Sequence, residues 1–302
     1  MCGIIGCIDG TRGSAEENIN QGKVSKLLYK GLKKLEYRGY DSAGISVLSN
    51  PSMKVKKGSG RIDEVNEHKD FLDLNGNVGI GHTRWATHGA VNDINAHPHT
   101  SCDQKVTVVH NGIIENYEEL KEELENKGHT FTTETDSEVI PHLIEDLYEE
   151  TGNLFESAKK VDSKLKGSYA VLIMHIDEPD KIVAIRKDSP LVIGKGDKQN
   201  FLASDAPAFI DKTKKAIFLQ DHDIAQVTEN NIKIYNSKEN KIYFANKRMY
   251  KEVIYRILLN KSSFVLDEAE EHLIKYSAET ALTEKRLNEL LSAGENKDNL
   301  LE

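Results

Sequence analysis

Short, β-branched apolar runs recur along the first 240 residues with few long helical stretches between them, and this pattern indicates antiparallel sheets. Parallel pairing would need a crossover of a dozen or more residues between neighbours. The runs Gly3 to Ile8, Ala43 to Leu48, Met53 to Lys57, Val78 to Thr83 and Val106 to His110 read as a first set of strands. A second set covers Tyr169 to Ile176, Lys181 to Arg186, Leu191 to Ile193, Phe201 to Ala203, Ala216 to Leu219, Asp223 to Thr228 and Ile232 to Tyr235. Helical spacing of Val24, Leu27, Leu28, Gly31, Leu32 and Leu35 predicts an amphipathic helix ending near Glu36. Further helices are expected at Tyr117 to Glu125, Ser137 to Tyr148 and Leu154 to Leu165, the second opened by Asp136 or Ser137 as cap. Helices grouped in two batches can cover the two outer faces of stacked sheets. The expected fold class is therefore α+β, a four-layer αββα sandwich of two antiparallel sheets between helices.

Strand signals cease near residue 240, where a charged, helix-forming tail begins. Val253, Ile254, Ile257, Leu258, Leu266, Ala269 and Leu273 give that tail helical periodicity. The domain reading is 2–240 for the sandwich and 241–302 for a helical tail.

A formal net charge of −9, from 40 basic and 49 acidic residues, argues against nucleic acid as a partner. No run approaches the roughly 20 apolar residues of a membrane span, and the N-terminus lacks signal-peptide order, so a cytoplasmic protein without membrane contact is expected. Three cysteines, Cys2, Cys7 and Cys102, form neither an even set nor a CxxC pair, which argues against a disulfide framework and a thiolate zinc site.

Cys2 stands in the unusual place. Removal of Met1, favoured by a small second residue, would leave a thiol and a free α-amino group on one residue. That amine has a reference pKa of about 7.7 to 8.0, so it can accept the thiol proton at neutral pH. By itself a cysteine at position two is a weak signal.

The rest of the chain adds Glu36-Tyr37-Arg38-Gly39-Tyr40-Asp41-Ser42-Ala43-Gly44 and Gly81-His82-Thr83-Arg84-Trp85-Ala86-Thr87-His88-Gly89. It then adds Asn95-Ala96-His97-Pro98-His99, His110-Asn111-Gly112 and Glu134-Thr135-Asp136-Ser137-Glu138. Together with Cys2-Gly3-Ile4, and in this order, these strings closely resemble the glutaminase domain of the glutamine–fructose-6-phosphate aminotransferase (isomerizing), or glucosamine-6-phosphate synthase, family. The likeness covers residues 2 to about 240. Other N-terminal-nucleophile amidotransferases, such as amidophosphoribosyltransferase and asparagine synthetase, share the leading cysteine and an Asn-Gly but not Tyr-Arg-Gly-Tyr-Asp-Ser or His-Thr-Arg-Trp-Ala-Thr-His.

The resemblance implies hydrolysis of L-glutamine through a Cys2 thioester, with the oxyanion held by the Asn111 side-chain amide and the Gly112 N–H. By residue type alone, His110-Asn111-Gly112 also reads as a strand ending in a tight turn. Arg84 has the planar fork for the substrate α-carboxylate and Asp136 the charge for its α-ammonium, although alone they would read as a surface charge and an N-cap. Trp85, Thr87 and His88 belong to the segment that in the family folds over glutamine. Arg38 and Asp41 resemble residues lying behind the nucleophile, and an ion pair in a turn is an equal reading of the two. His82, His88, His97 and His99 raise the question of zinc, but no acidic or cysteine ligand lies at metal spacing beside them, and no metal or other cofactor is expected.

Family members continue into two sugar-isomerase domains, and Met249-Tyr250-Lys251-Glu252-Val253 echoes the entry to that half before the likeness ends. Expected partners are glutamine and either a separate sugar-isomerase subunit or another copy of the chain. The alternatives are a non-catalytic regulatory or binding paralogue, or a stand-alone glutaminase subunit for a different acceptor.

Overall fold

The computed structural model describes residues 2–10, 23–49, 52–86, 88–244 and 251–252. The tail after residue 252, with its expected helices, lies outside the described residues, as does Thr87. One compact unit spans Met1–Tyr250, and beyond it Lys251–Glu252 is a short extended piece. No described helix is long and apolar enough to cross a membrane.

The first part of the chain forms β1 (Gly3–Asp9), α1 (Lys23–Leu35), β2 (Ser42–Ser49), β3 (Ser52–Ser59), α2 (Ile62–Lys69), β4 (Val78–Arg84), β5 (His99–Thr100) and β6 (Val106–Ile114). Three helices follow, α3 (Tyr117–Asn126), α4 (Val139–Thr151) and α5 (Leu154–Lys164). The remaining strands are β7 (Gly167–His175), β8 (Lys181–Lys187), β9 (Val192–Lys195), β10 (Gln199–Ala203), β11 (Lys215–Phe218), β12 (Asp223–Thr228), β13 (Ile232–Asn236) and β14 (Lys241–Phe244). Within the unit, one sheet runs β11-β9-β10-β1-β4-β2-β3 and the other β14-β13-β12-β8-β7-β6-β5. Every registered pair in both sheets is antiparallel.

The sheets stack through Ile4 and Ile8 of β1, Ile80 of β4 and Leu202 of β10 on one side, with Val109, Leu172, Ile182 and Val227 opposite. A second core joins the outer face of the β6–β7–β8 sheet to Leu124, Ile140, Leu143, Phe155 and Val161 of α3 to α5. The first sheet is covered by α1, whose Val24, Leu28, Leu32 and Leu35 are fully buried. These are the four expected layers. β1 lies in the middle of its sheet and is buried on both faces, which is why it reads as a continuous apolar run rather than an alternation.

Close helix packing is written into β4. A Cβ on Gly79 would lie 2.8 Å from both the Leu28 side chain and the Ser46 carbonyl, so only glycine allows α1 to rest against the sheet there. The sequence reading omitted α2, whose amphipathic signal is short, the two-residue β5, and β14, which pairs with β13 past the composition shift. Two local readings are corrected. Asp136 and Ser137 do not cap α4: they lie in a 3-10 turn, and Glu138 is the N-cap without a side-chain cap bond. The Asp136 carboxylate instead accepts the Ile114 N–H at 2.8 Å. Nor does Asn111-Gly112 end its strand in a turn. β6 passes through Gly112 to Ile114, paired with β7 throughout, because a glycine at φ +124° bends the strand without breaking the ladder.

Gly79→Val should force α1 off the sheet and cost about 1–3 kcal/mol, read as a lower urea midpoint. An unchanged midpoint would show that α1 does not need this close approach.

Candidate active site

Cys2 precedes β1, next to the end of β4, because Gly3 pairs with Thr83 and Ile4 with His82. That register places its thiol beside the chain just beyond β4. The Trp85 N–H donates to Cys2 Sγ at 3.2 Å, and the thiol can donate to the Trp85 carbonyl at 3.4 Å. Burial pushes the Cys2 thiol above its ordinary pKa, partly opposed by the Trp85 peptide and the Arg84 charge. A thiol in this state needs a base to ionise it at neutral pH.

The other sheet delivers Asn111. Its Nδ2 donates to the Cys2 carbonyl at 2.8 Å, while its Oδ1 lies 3.1 Å from His82 Nε2. The same His82 nitrogen is 3.0 Å from the His110 carbonyl. Both neighbours are acceptors, so His82 carries its proton on Nε2, and this assigns the Asn111 amide unambiguously. One Asn111 N–H is then committed to Cys2 and the second is left for another acceptor. Gly112 follows in the strand, where a Cβ would meet the Ser168 carbonyl at 1.9 Å, so no other residue fits.

A cavity of about 390 Å³ opens on these groups. Cys2, Asn111 and Gly112 line it together with Arg84, Asp136 and Ser137. Arg84 and Asp136 are both buried. Arg84 donates to the Ala90 carbonyl at 3.2 Å and to the His88 carbonyl, which orients its fork. Burial lowers its pKa from the ordinary value, against the raising effect of Cys2, Asp41 and Asp136, and a guanidinium remains charged. Trp85 is 45% exposed and packs edge-on against Tyr40 at 5.5 Å, which removes the core alternative for the single tryptophan. His88 lines the cavity as well, with its ring 6.2 Å from that of Tyr117.

Arg38 and Asp41 do not pair with each other. Arg38 forms a 2.9 Å ion pair with Asp205, which also accepts the Tyr37 hydroxyl at 2.6 Å. Asp41 accepts the Ala86 N–H at 2.9 Å and so holds the segment after Trp85. The ion-pair reading of these two residues is therefore corrected: the acid that Arg38 meets is 167 residues away in sequence, beyond the reach of local pattern. Sequence reasoning also missed Ser137, which meets His110 Nδ1 at 2.8 Å, and the Asp188-Ser189-Pro190 wall of the cavity. In the sequence His82 reads as part of the Gly81–Gly89 string and as a metal candidate; its value as a positioning donor depends on a contact between sheets.

The histidines cluster, His82 stacked on His97 and His97 edge-on to His99. Ring centroids of His82 and His97 are 4.1 Å apart and those of His97 and His99 4.3 Å, and His99 Nε2 bonds the Thr135 hydroxyl at 3.2 Å. Burial holds the pKa of His82 down to about 3 and those of His97 and His99 well below the ordinary value.

A family model for a glutamine amidotransferase domain matches residues 82–211. The glutamine–fructose-6-phosphate aminotransferase (isomerizing) of Thermococcus kodakarensis is 52% identical over 229 residues, which is 76% of this chain and 36% of that protein. The Thermus thermophilus protein of the same name is 47% identical over 234 residues, 78% of this chain and 36% of its own length. The chain thus spans little more than a third of these relatives. Among solved structures, the glutamine phosphoribosylpyrophosphate amidotransferase of B. subtilis superposes with a TM-score of 0.63 at 28% identity, covering 78% of this chain and 49% of that one. The chain carries a glutamine amidotransferase domain that matches the glutaminase part of glutamine–fructose-6-phosphate aminotransferases, in the fold of the N-terminal-nucleophile amidotransferases.

The buried histidines set an acid limit on stability. In the unfolded chain each takes up a proton near pH 6.5, whereas His82 does so near 3 in the folded chain, so the unfolded state binds more protons in between. Stability is then complete above pH 6.5 and declines below it, by up to about 1.4 kcal/mol per pH unit for each such histidine. The urea midpoint should fall between about pH 7.5 and about pH 5.5, and fall less in His97→Phe. A flat profile in the unsubstituted chain would mean that these rings are not held neutral.

Proposed function

We propose that this domain hydrolyses L-glutamine to glutamate and ammonia, with Cys2 as nucleophile after removal of Met1. The observation that carries the reading is the convergence, on one cavity, of the Cys2 thiol, the Asn111 amide and the oppositely charged Arg84 and Asp136. Free glutamine presents one carboxylate and one ammonium beyond its reacting amide, and this charge set complements them.

The α-amine of Cys2 takes the thiol proton, and the thiolate attacks the side-chain carbonyl of glutamine. The resulting oxyanion accepts the spare Asn111 N–H and the Gly112 N–H. Collapse of the adduct breaks the carbon–nitrogen bond, the ammonium of Cys2 returns its proton to the departing nitrogen, and ammonia leaves. Water then hydrolyses the thioester by the same proton route, giving glutamate and the free thiol. Trp85 and His88, which line the cavity, exclude water from the bound substrate. Asp41 and Arg38 position the segments that carry Trp85 and the α1 exit.

Ammonia from this domain is destined for amination of a sugar phosphate, as the names of the relatives indicate for those proteins, with the isomerase function on another segment or subunit. Residues 2–240, extended by β14 to Phe244 in the second sheet, act as the glutaminase domain.

Intact mass should show loss of Met1, and Cys2→Ala should abolish hydrolysis while Cys7→Ala does not. Asn111→Ala should lower kcat by a factor of about 100 to 1,000, the usual cost of one oxyanion donor. A change confined to KM would remove that role from Asn111. Arg84→Ala and Asp136→Ala should mainly raise KM, by roughly 10- to 100-fold for a lost charged contact. A chain ending at residue 246 should retain most of its glutaminase rate, and loss of all activity would make the tail part of the catalytic unit. The pure chain given glutamine and fructose 6-phosphate should release ammonia without forming glucosamine 6-phosphate.

A further inference from the structure

Four ligating atoms of different chemistry converge at a second place in the fold. Cys102 lies on the turn between β5 and β6, His129 just after α3, and His142 and Glu145 one turn apart on α4. One thiol sulfur, two imidazole nitrogens and one carboxylate oxygen from these residues all lie within 4.8 Å of one another. Cys102 Sγ is 3.7 Å from His129 Nδ1 and 3.5 Å from His142 Nδ1. Glu145 Oε2 is 3.2 Å from His129 Nδ1 and 3.6 Å from His142 Nδ1. A tetrahedral zinc site with Zn–S about 2.3 Å and Zn–N or Zn–O about 2.0–2.1 Å has ligand-to-ligand edges of roughly 3.3–3.6 Å. The four measured edges fall on that range to within a few tenths of an ångström.

The surroundings are arranged as outer groups of a metal site are. His129 Nε2 meets the Asp146 carboxylate at 2.6 Å, which puts its proton on Nε2 and leaves the Nδ1 lone pair facing Cys102. His142 Nε2 lies 3.7 Å from Glu138, too long for a hydrogen bond, while its Nδ1 faces the centre. The Thr130 N–H donates to Cys102 Sγ at 3.4 Å. Glu145 is steadied by the Cys102 and Asp103 N–H groups at 3.1 and 2.9 Å.

We propose that Cys102, His129, His142 and Glu145 form a closed, four-coordinate zinc site. Thiolate and imidazole together select zinc over hard cations such as magnesium or calcium, and four protein ligands make the site structural, since no position is left for a reacting water. The site ties the β5–β6 turn and the α3 exit to α4. His129 and His142 bracket residues 130–141, the stretch that carries Asp136 to the cavity, so the metal braces that stretch from outside the catalytic pocket.

Metal content of the full-length chain, expressed with zinc supplied and then exhaustively buffer-exchanged, decides the matter. About one zinc per chain is expected by mass spectrometry of the metal. The metal-free chain should take up cobalt with the intense visible bands of tetrahedral coordination and a thiolate-to-metal charge-transfer band. Cys102→Ser, at an exposed position, should keep its circular dichroism and lose that band, and Asp146→Asn should bind cobalt roughly 10- to 100-fold more weakly. Zinc should also protect Cys102 from alkylation. Cys2→Ala, inactive toward glutamine, should bind zinc fully, which separates this site from the glutaminase reading. A full-length chain that binds neither metal at micromolar concentration, or a Cys102→Ser chain that binds as well as the parent, would reduce the cluster to a hydrogen-bond network and overturn the proposal.

Discussion

The imidazole of His82 sits between the two sheets with its Nε2–H shared by the His110 carbonyl and the Asn111 side-chain oxygen, and the geometry around Cys2 depends on that contact. Stranding a buried donor of this kind costs about 1–3 kcal/mol, so the bond is kept wherever the sheets stay stacked. Its consequence for chemistry is orientational. An asparagine amide has two nearly symmetric ends, and His82 decides which end faces Cys2. The ring can do this only while neutral with the proton on Nε2, and burial, by lowering its pKa to about 3, maintains that state across the working range.

The sandwich imposes the rest. β1 is covered by α1 on one face and by the second sheet on the other, so its position is fixed to its first residue, and Cys2 inherits that fixity. The same burial raises the thiol pKa, which opposes spontaneous ionisation. In the proposed mechanism an adjacent α-amine would answer this difficulty without a distant general base, because nucleophile and base would share one residue and one strand end. The fold thus makes the thiol hard to ionise, which is the task the proposed α-amine base would perform.

Much of the architecture was legible in local pattern, because strands buried on both faces and amphipathic helices carry strong periodic signals. Elements only one or two periods long, such as β5 and α2, left no such signal. Among the site residues, those in contiguous strings near Cys2, Arg84, Asn111 and Asp136 were readable together. What escaped was long-range partnership: Arg38 with Asp205, His82 with Asn111, and the wall at Asp188 to Pro190 all depend on which strands become neighbours. The cluster at Cys102 escaped for the same reason, since its ligands come from a turn, a helix exit and another helix. Asp136 shows the opposite error. Its place before a helix invited a capping role, but the nearby Ile114 N–H at the end of β6 claimed the carboxylate instead.

The segment from Thr130 to Asp136 has no regular backbone ladder, yet it must hold Asp136 at a fixed place opposite Arg84. Side chains replace the ladder. The Glu138 carboxylate accepts the N–H groups of Thr132 and Thr133 at 2.9 and 2.7 Å, and burial, which alone would raise its pKa, is outweighed by His142 and these threonine bonds, so that it is held below the ordinary carboxylate value. Glu134 and Asn95 exchange a reciprocal pair of bonds at 3.0 and 2.8 Å, and Glu134 also accepts the Ala90 N–H at 3.0 Å. Ala90 is in turn a residue whose carbonyl holds Arg84. The two charges suited to the ends of glutamine are therefore linked through one network, Arg84 to Ala90 to Glu134 and along the chain to Asp136. For the proposed glutamine site, fixing both before substrate arrives would leave little ordering entropy to be lost on binding, which is how a loop-built site reaches the rigidity of one built on strands.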